Sequence, residues 1–203
     1  MKQRRRIVIA TGNAGKLAEI RAALADVAVD WLSLADYPNV SAVEETGDTF
    51  EGNARIKAVH YSELTGEWSL ADDSGLEVDG LAGAPGVRSA RYAGEDATDA
   101  SNNAKLIAAL RGVSGERRTA RFRCAMVLAA GREVLAASDG SIEGVIVDEA
   151  RGERGFGYDP HFFVPTMGAT LAELPRERKN AISHRGRAAA GIRPAILGLV
   201  ERA

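Results

Sequence analysis

Four stretches of this 203-residue chain combine residue types that can do chemistry. The first is Thr11-Gly12-Asn13-Ala14-Gly15-Lys16, set between an apolar run at residues 7–10 and Leu17, Ile20, Leu24 and Val27 at helical spacing. A strand feeding a helix in this way leaves backbone N–H groups unpaired at the helix start. Two glycines let an anion approach the backbone, and Lys16 adds a positive charge within one turn. Together they make a phosphate cradle. It is not a Walker P-loop, because the spacing is too short and Leu17 stands where Ser or Thr is required. A plain Asn-capped turn with a solvated lysine explains the same residues equally well.

The second stretch is acidic. Glu44-Glu45 leads into Asp48 and Glu51, and Asp72-Asp73 follows a short strand-like stretch at residues 68–71. Adjacent carboxylates repel each other unless a cation or hydrogen-bond donors neutralise them. Oxygen-only ligands suit Mg²⁺, which binds one or two carboxylates plus substrate phosphates. Such a carboxylate can also orient or deprotonate water. Asn53 and Lys57, at i and i+4 of a predicted helix, point toward phosphates or form a polar stripe. For Glu44-Glu45 alone, a solvated turn suffices.

The third stretch, Gly155-Phe156-Gly157-Tyr158-Asp159-Pro160, can present Phe156 as a stacking surface for a nucleobase, with Asp159 accepting from ring N–H groups. A structural turn around a core Phe is the simpler reading of that spacing. The fourth gathers Lys179 with Ser183-His184-Arg185, donors that suit a carbonyl oxygen such as the O6 of a 6-oxopurine. Here a helix start capped by Ser183 with solvated basic residues competes.

These stretches need elements to hold them. The pattern predicts strands at 7–10, 29–34 and 68–71, the last ending in a turn at Asp72-Asp73-Ser74-Gly75. It predicts a helix over 49–64, and a third capped by Thr98 or Asp99 with Ala100, Ala104, Ile107 and Leu110 inward. Two long strands, 118–130 and 133–147, pair antiparallel around Gly131. A last helix covers 184–201, broken or kinked by Gly191 and Pro194. Together these give an α/β fold around a mixed sheet, read as a single domain over 1–203.

Composition narrows the function. Net charge is −2, without the basic excess of a nucleic-acid binder. The lone cysteine, Cys124, lies in an apolar run and reads as a small buried hydrophobe. His60, His161 and His184 fit no zinc spacing. The start, Met1-Lys2-Gln3-Arg4-Arg5-Arg6, lacks the apolar region of a signal peptide, and no apolar run spans a bilayer, so a cytoplasmic location is expected. Metal-assisted attack by water is the chemistry left.

In order along the chain, ATGNAGK (10–16), EETG (44–47), ADDSGL (71–76), GAPGVRSARY (83–92), GFGYDP (155–160) and ISHR (182–185) resemble the inosine/xanthosine triphosphate pyrophosphatase family. The resemblance covers residues 7–187. It implies an elongated mixed β-sheet flanked by helices, with a cleft between two lobes. It implies hydrolysis of ITP, dITP and XTP to the monophosphate and pyrophosphate, with Mg²⁺, by a homodimer; charge and hydropathy leave no nucleic-acid or membrane partner expected. Carried over by motif, Thr11, Gly12, Asn13, Ala14, Gly15 and Lys16 hold the triphosphate. Glu44 and Asp73 bind the metal, and Asp73 is also the proton acceptor. Ser74 touches the substrate, while Phe156, Gly157, Tyr158, Asp159, Lys179, His184 and Arg185 surround the base. The donors would leave adenine's 6-amino group unpaired, a mismatch that rejects substrates strongly. Arg178, and Gly191 with Pro194, depart from the family pattern. The competing functions are a pyrophosphohydrolase of pyrimidine or modified nucleotides, and a nucleotide sensor or RNA-binding protein without turnover.

Overall fold

The structure is a computed structural model that describes residues 4–202. Met1-Lys2-Gln3, part of the basic start considered above, lie outside the described residues. Seven strands join edge to edge in the order β2-β1-β3-β4-β5-β6-β7. They are β1 (Arg6–Ile9), β2 (Asp30–Ser33), β3 (Trp68–Val78), β4 (Thr119–Ala130), β5 (Glu133–Ile146), β6 (Phe162–Val164) and β7 (Ala169–Thr170). The helices are α1 (Ala14–Ala23), α2 (Phe50–Thr65), α3 (Asp99–Ala109), α4 (Arg176–Ile182) and α5 (His184–Arg202). β1 pairs parallel with β2 and β3, whereas β5–β6 and β6–β7 are antiparallel, so the sheet is mixed. Two residues link β4 to its neighbour β5, a connection that only an antiparallel pair allows. Gly131 supplies the positive φ (56°) there.

The chain folds into two compact units. The first comprises residues 4–73, 124–140 and 184–202. Its centre is β1, whose Ile7, Val8 and Ile9 are fully buried, as a strand covered on both faces requires. Ile20 and Leu24 of α1 pack with Ala188, Ala189, Ile192 and Ile196 of α5 in the same core. α2 is capped by Thr49, whose hydroxyl accepts from the Gly52 N–H, and it buries Phe50, Ala54, Ala58 and Tyr61. The same helix buries Asn53 and Lys57, which an apolar core does not do without partners. α5 starts directly on β5. A Cβ at Gly140 would overlap the His184 carbonyl and stand 2.6 Å from the Ala188 nitrogen. A bare Cα there fixes where His184 and Arg185 begin.

The second unit comprises Ser74–Arg123 and Ser141–Ser183. Leu76, Val78, Leu106, Leu110, Phe122, Ile142, Ile146, Tyr158 and Phe162 form its core. Phe162 lies so close to β5 that a Cβ on Gly144 would meet its ring at 2.5 Å.

Four expectations from the sequence are corrected. β3 does not end before Asp72 but runs on through Asp73, Ser74 and Gly75 to Val78, because the carboxylates find side-chain partners while the backbone stays in the sheet. α3 buries Asn102 and Leu106, with Leu110 just beyond its end, and leaves Ala100 and Ala104 exposed. Asn102 is polar but satisfied by two backbone groups, so the buried face was hidden from a hydrophobic pattern. α5 is one helix through Gly191 and Pro194; Gly191 faces Ser138 of β5, where a Cβ would come within 3.2 Å. Lys179 does not sit at the start of the last helix but in a separate short helix, α4, which Ser183 closes. Among the described residues, no helix is long and apolar enough to cross a membrane.

Candidate active site

In the first unit, the glycine-lysine loop and the acidic pair come together. Asn13 caps α1 by accepting from the Lys16 N–H at 3.0 Å, and Thr11 Oγ1 accepts from the Asn13 N–H at 3.2 Å. Ala14, Gly15 and Lys16 form the first turn of α1, the place where helix N–H groups lack intrahelical acceptors. Lys16 is not a solvated lysine: its ammonium is 3.3 Å from Asp72. The Asn cap of the plain-turn reading is therefore present, while its solvated lysine is replaced by an ion pair.

Asp72 and Asp73 alternate to opposite sides of β3 and meet different surroundings. Asp72 is 1% exposed and takes Lys16 and, at 3.2 Å, the Arg185 guanidinium. Arg185, 2% exposed, also pairs with the buried Glu19 of α1. Burial opposes the charge on Asp72, yet Lys16, Arg185 and Lys57 outweigh it and hold the carboxyl well below the usual range. Burial likewise works against Arg185, but Asp72 and Glu19 keep its pKa above the ordinary value. Cys124, with Sγ 3.9 Å from Asp72, is pushed up by burial and then by the Asp72 charge, so it stays a thiol, as its apolar run suggested.

Asp73 is 5% exposed and receives Asn53 Nδ2 and Lys57 Nζ, each at 3.2 Å. Burial is the largest influence and raises its pKa; Lys57, Lys16 and Asn53 pull the other way without cancelling it, and Glu45 adds to the rise. Burial also works against the Lys57 charge, but Asp73, Asp72 and Glu45 hold its pKa above normal. Two adjacent carboxyls are thus driven apart, one held low as a buried counter-ion and the other raised by burial. Such divergence marks acid–base assignments.

The Glu44-Glu45 loop joins this group through α2. Asn53 Oδ1 accepts from the Gly47 N–H at 2.7 Å while its amide nitrogen serves Asp73. A Cβ on Gly47 would stand 2.8 Å from that oxygen, so only glycine allows the approach. Glu45 reaches Lys57 at 3.2 Å, whereas Glu44 is exposed. Asp73 and Glu45 thus converge on one ammonium, a pair of hard oxygen donors of the type Mg²⁺ takes. No group of three His, Cys, Asp or Glu side chains arranged for a metal occurs among the described residues. The donor set fits an ion that keeps water and phosphate ligands, not a closed protein cage. The i, i+4 reading of Asn53 and Lys57 found this face; Glu45, Glu19 and Asp72 as partners were not separable in sequence.

The second unit holds the remaining candidates. Ser74 is half-buried on β3. Lys179 of α4 forms a buried ion pair with Asp159, and its ammonium lies 4.9 Å from the centroid of the half-buried Phe156 ring. Asp159 also accepts from the Phe156 N–H at 2.9 Å. Tyr158 lies in the core of this unit, its hydroxyl donating to the Ser89 carbonyl at 2.8 Å. Burial, then Tyr92 and Asp99, raise its pKa. His184 and Arg185 belong to the first unit, and the Arg185 guanidinium serves the carboxylates named above.

A mixed α/β sheet whose strand β3 carries buried, oppositely tuned carboxyls beside a glycine-lysine helix start is an arrangement suited to phosphate anions. The chain belongs to the Ham1 family, which it matches over residues 7–195. It is 55% identical over 185 residues to the dITP/XTP pyrophosphatase of Geobacter sulfurreducens, covering 91% of this chain and 93% of the relative. It is 51% identical over 183 residues to that of Desulforamulus reducens, covering 90% and 91%. The solved structure of a HAM1 protein from Coxiella burnetii superposes with a TM-score of 0.87 at 42% identity, covering 96% of this chain and 99% of that one.

Proposed function

We propose that this chain hydrolyses non-standard purine nucleoside triphosphates, namely dITP, XTP and ITP, to the monophosphate and pyrophosphate. The observation that carries the reading is the buried carboxyl pair on β3, with Asp73 held by Lys57 and Asn53 and Asp72 held by Lys16 and Arg185. The relatives named dITP/XTP pyrophosphatase supply the substrate class. A water oxygen bonds to the α-phosphorus, and the bond from that phosphorus to the α–β bridging oxygen breaks. Pyrophosphate leaves with the electron pair, and the water proton passes to the Asp73 carboxylate. Lys16 and the first turn of α1 receive the phosphate charge. Asp72, held ionised, keeps Lys16 at the cradle.

Mg²⁺ is the cofactor we assign, held by Asp73 and the Glu44-Glu45 loop; when bound it neutralises phosphate charge and makes the water more acidic. Phe156 and Lys179 are the groups we assign to the base, by stacking and by donation to a 6-oxo group. A homodimer follows the family resemblance and a cytoplasmic location the sequence pattern; sedimentation velocity tests the first.

The deciding assay is pyrophosphate and orthophosphate release from ITP, XTP, dITP, GTP, ATP and dUTP, with Mg²⁺ and with EDTA. Metal-dependent pyrophosphate from ITP, XTP and dITP, with little from ATP, is expected. Release of orthophosphate alone, or equal turnover of dUTP, would overturn the reading.

A further inference from the structure

The Gly83–Tyr92 segment and α3 have no part in the chemistry above, yet both converge on the Phe156–Asp159 loop inside the second unit. Asp99 and Asn103 lie at i and i+4 on α3, one face of the helix. Asp99 Oδ2 accepts from the Gly157 N–H at 2.7 Å, and Asn103 Nδ2 donates to the Gly157 carbonyl at 2.9 Å. Both backbone groups of a single glycine are thus taken by side chains of one helix. That glycine has φ 63°, a left-handed conformation, so the direction of the chain around it is set here.

The next residue is held as firmly. The Tyr158 hydroxyl donates to the Ser89 carbonyl, and Ser89 itself donates to the Gly86 carbonyl at 2.6 Å and accepts from the Leu76 N–H at 2.8 Å. Asn102 ties the same segment to α3 through Ala90 and Ala93. The helix is itself anchored, since Thr98 and Ser101 form a reciprocal capping box. Loop backbone groups are commonly satisfied by water at no cost in side-chain entropy. Spending two ordered side chains on one peptide makes sense where the loop's orientation matters.

We propose that Asp99 and Asn103 are positioning residues for base recognition: by clamping the Gly157 peptide they aim the Phe156 ring and the Asp159 carboxylate. This rests on the reading that Phe156 and its neighbours receive the base. Neither residue touches the reacting atoms, so they act on substrate affinity and base choice and not on bond cleavage.

The test measures kcat and KM for ITP and for ATP, with the melting temperature, in Phe156→Ala, Asp99→Ala, Asp99→Asn and Asn103→Ala. Loss of a clamp bond, charge-assisted at Asp99 and neutral at Asn103, should raise KM for ITP about tenfold in Asp99→Ala and somewhat less in Asn103→Ala, with kcat nearly unchanged. Asp99→Asn keeps an acceptor oxygen for the Gly157 N–H and should recover most of that loss. Asp99 is exposed, so its variants are expected to fold. A raised KM in Phe156→Ala but not in the α3 variants overturns this inference alone. An unchanged KM in Phe156→Ala overturns the base assignment and the inference with it. A parallel fall of kcat and melting temperature, without rescue by Asn, makes α3 merely structural and also refutes the proposal.

Discussion

Gly155→Ala is the most pointed test of how the base-side loop is built. Gly155 has φ 79°, where an L side chain costs about 1–2 kcal/mol. A Cβ there would overlap Asp159 Oδ2 and stand 2.9 Å from its Cγ and 3.1 Å from Lys179 Nζ. Those two groups form a buried ion pair, so the carboxylate cannot simply turn into solvent. Forcing such a contact adds about 1–3 kcal/mol. The sum is about 2–5 kcal/mol. Gly168→Ala provides the control, since φ is 62° and nothing lies within 4 Å of the added carbon, leaving strain alone. Urea unfolding should therefore separate the two variants by about 1–3 kcal/mol, several degrees in melting temperature for a chain of this size. KM for ITP should rise in Gly155→Ala only, because Asp159 positions Phe156 and Lys179. Equal losses of stability in the two variants, with equal KM, would refute the argument that this glycine exists to admit the ion pair.

Asp73→Asn should fold with near-normal stability and lose nearly all turnover; an active variant would remove Asp73 as proton acceptor. Arg185→Ala should lose about 3–5 kcal/mol of stability in urea, because it leaves Glu19 and Asp72 buried without their guanidinium; a loss below about 1 kcal/mol would show that Arg185 does not anchor that network. Asp79 is held below its ordinary 3.8 by the Thr119 hydroxyl and then by Arg121. Its folded-state pKa is depressed, so its contribution is present above about pH 4 and fades as pH falls through the lower folded value. Acid unfolding curves of Asp79→Asn should accordingly be flatter than wild type below pH 4, and identical slopes would argue against the bond to Thr119.

Much of this protein is legible one residue at a time. The apolar run of β1, the Thr49 and Thr98 caps and the β4–β5 turn at Gly131 depend on local periodicity and backbone conformation, which sequence encodes directly. The glycine-lysine loop and the Asn53–Lys57 face were found by spacing for the same reason. Where β3 stops was not legible: charged residues look like a strand end until distant cations are known to cover them. Nor was the inner face of α3, whose Asn102 is buried only because remote backbone groups satisfy it. The division of labour between Asp72 and Asp73 belongs to tertiary structure alone. In sequence they are identical neighbours; a β-strand turns them to opposite faces, one toward Lys16 and Arg185, the other toward Asn53 and Lys57. Residue type determines that a carboxyl can titrate, but the dielectric and charges that place its pKa come from elements up to 113 positions away.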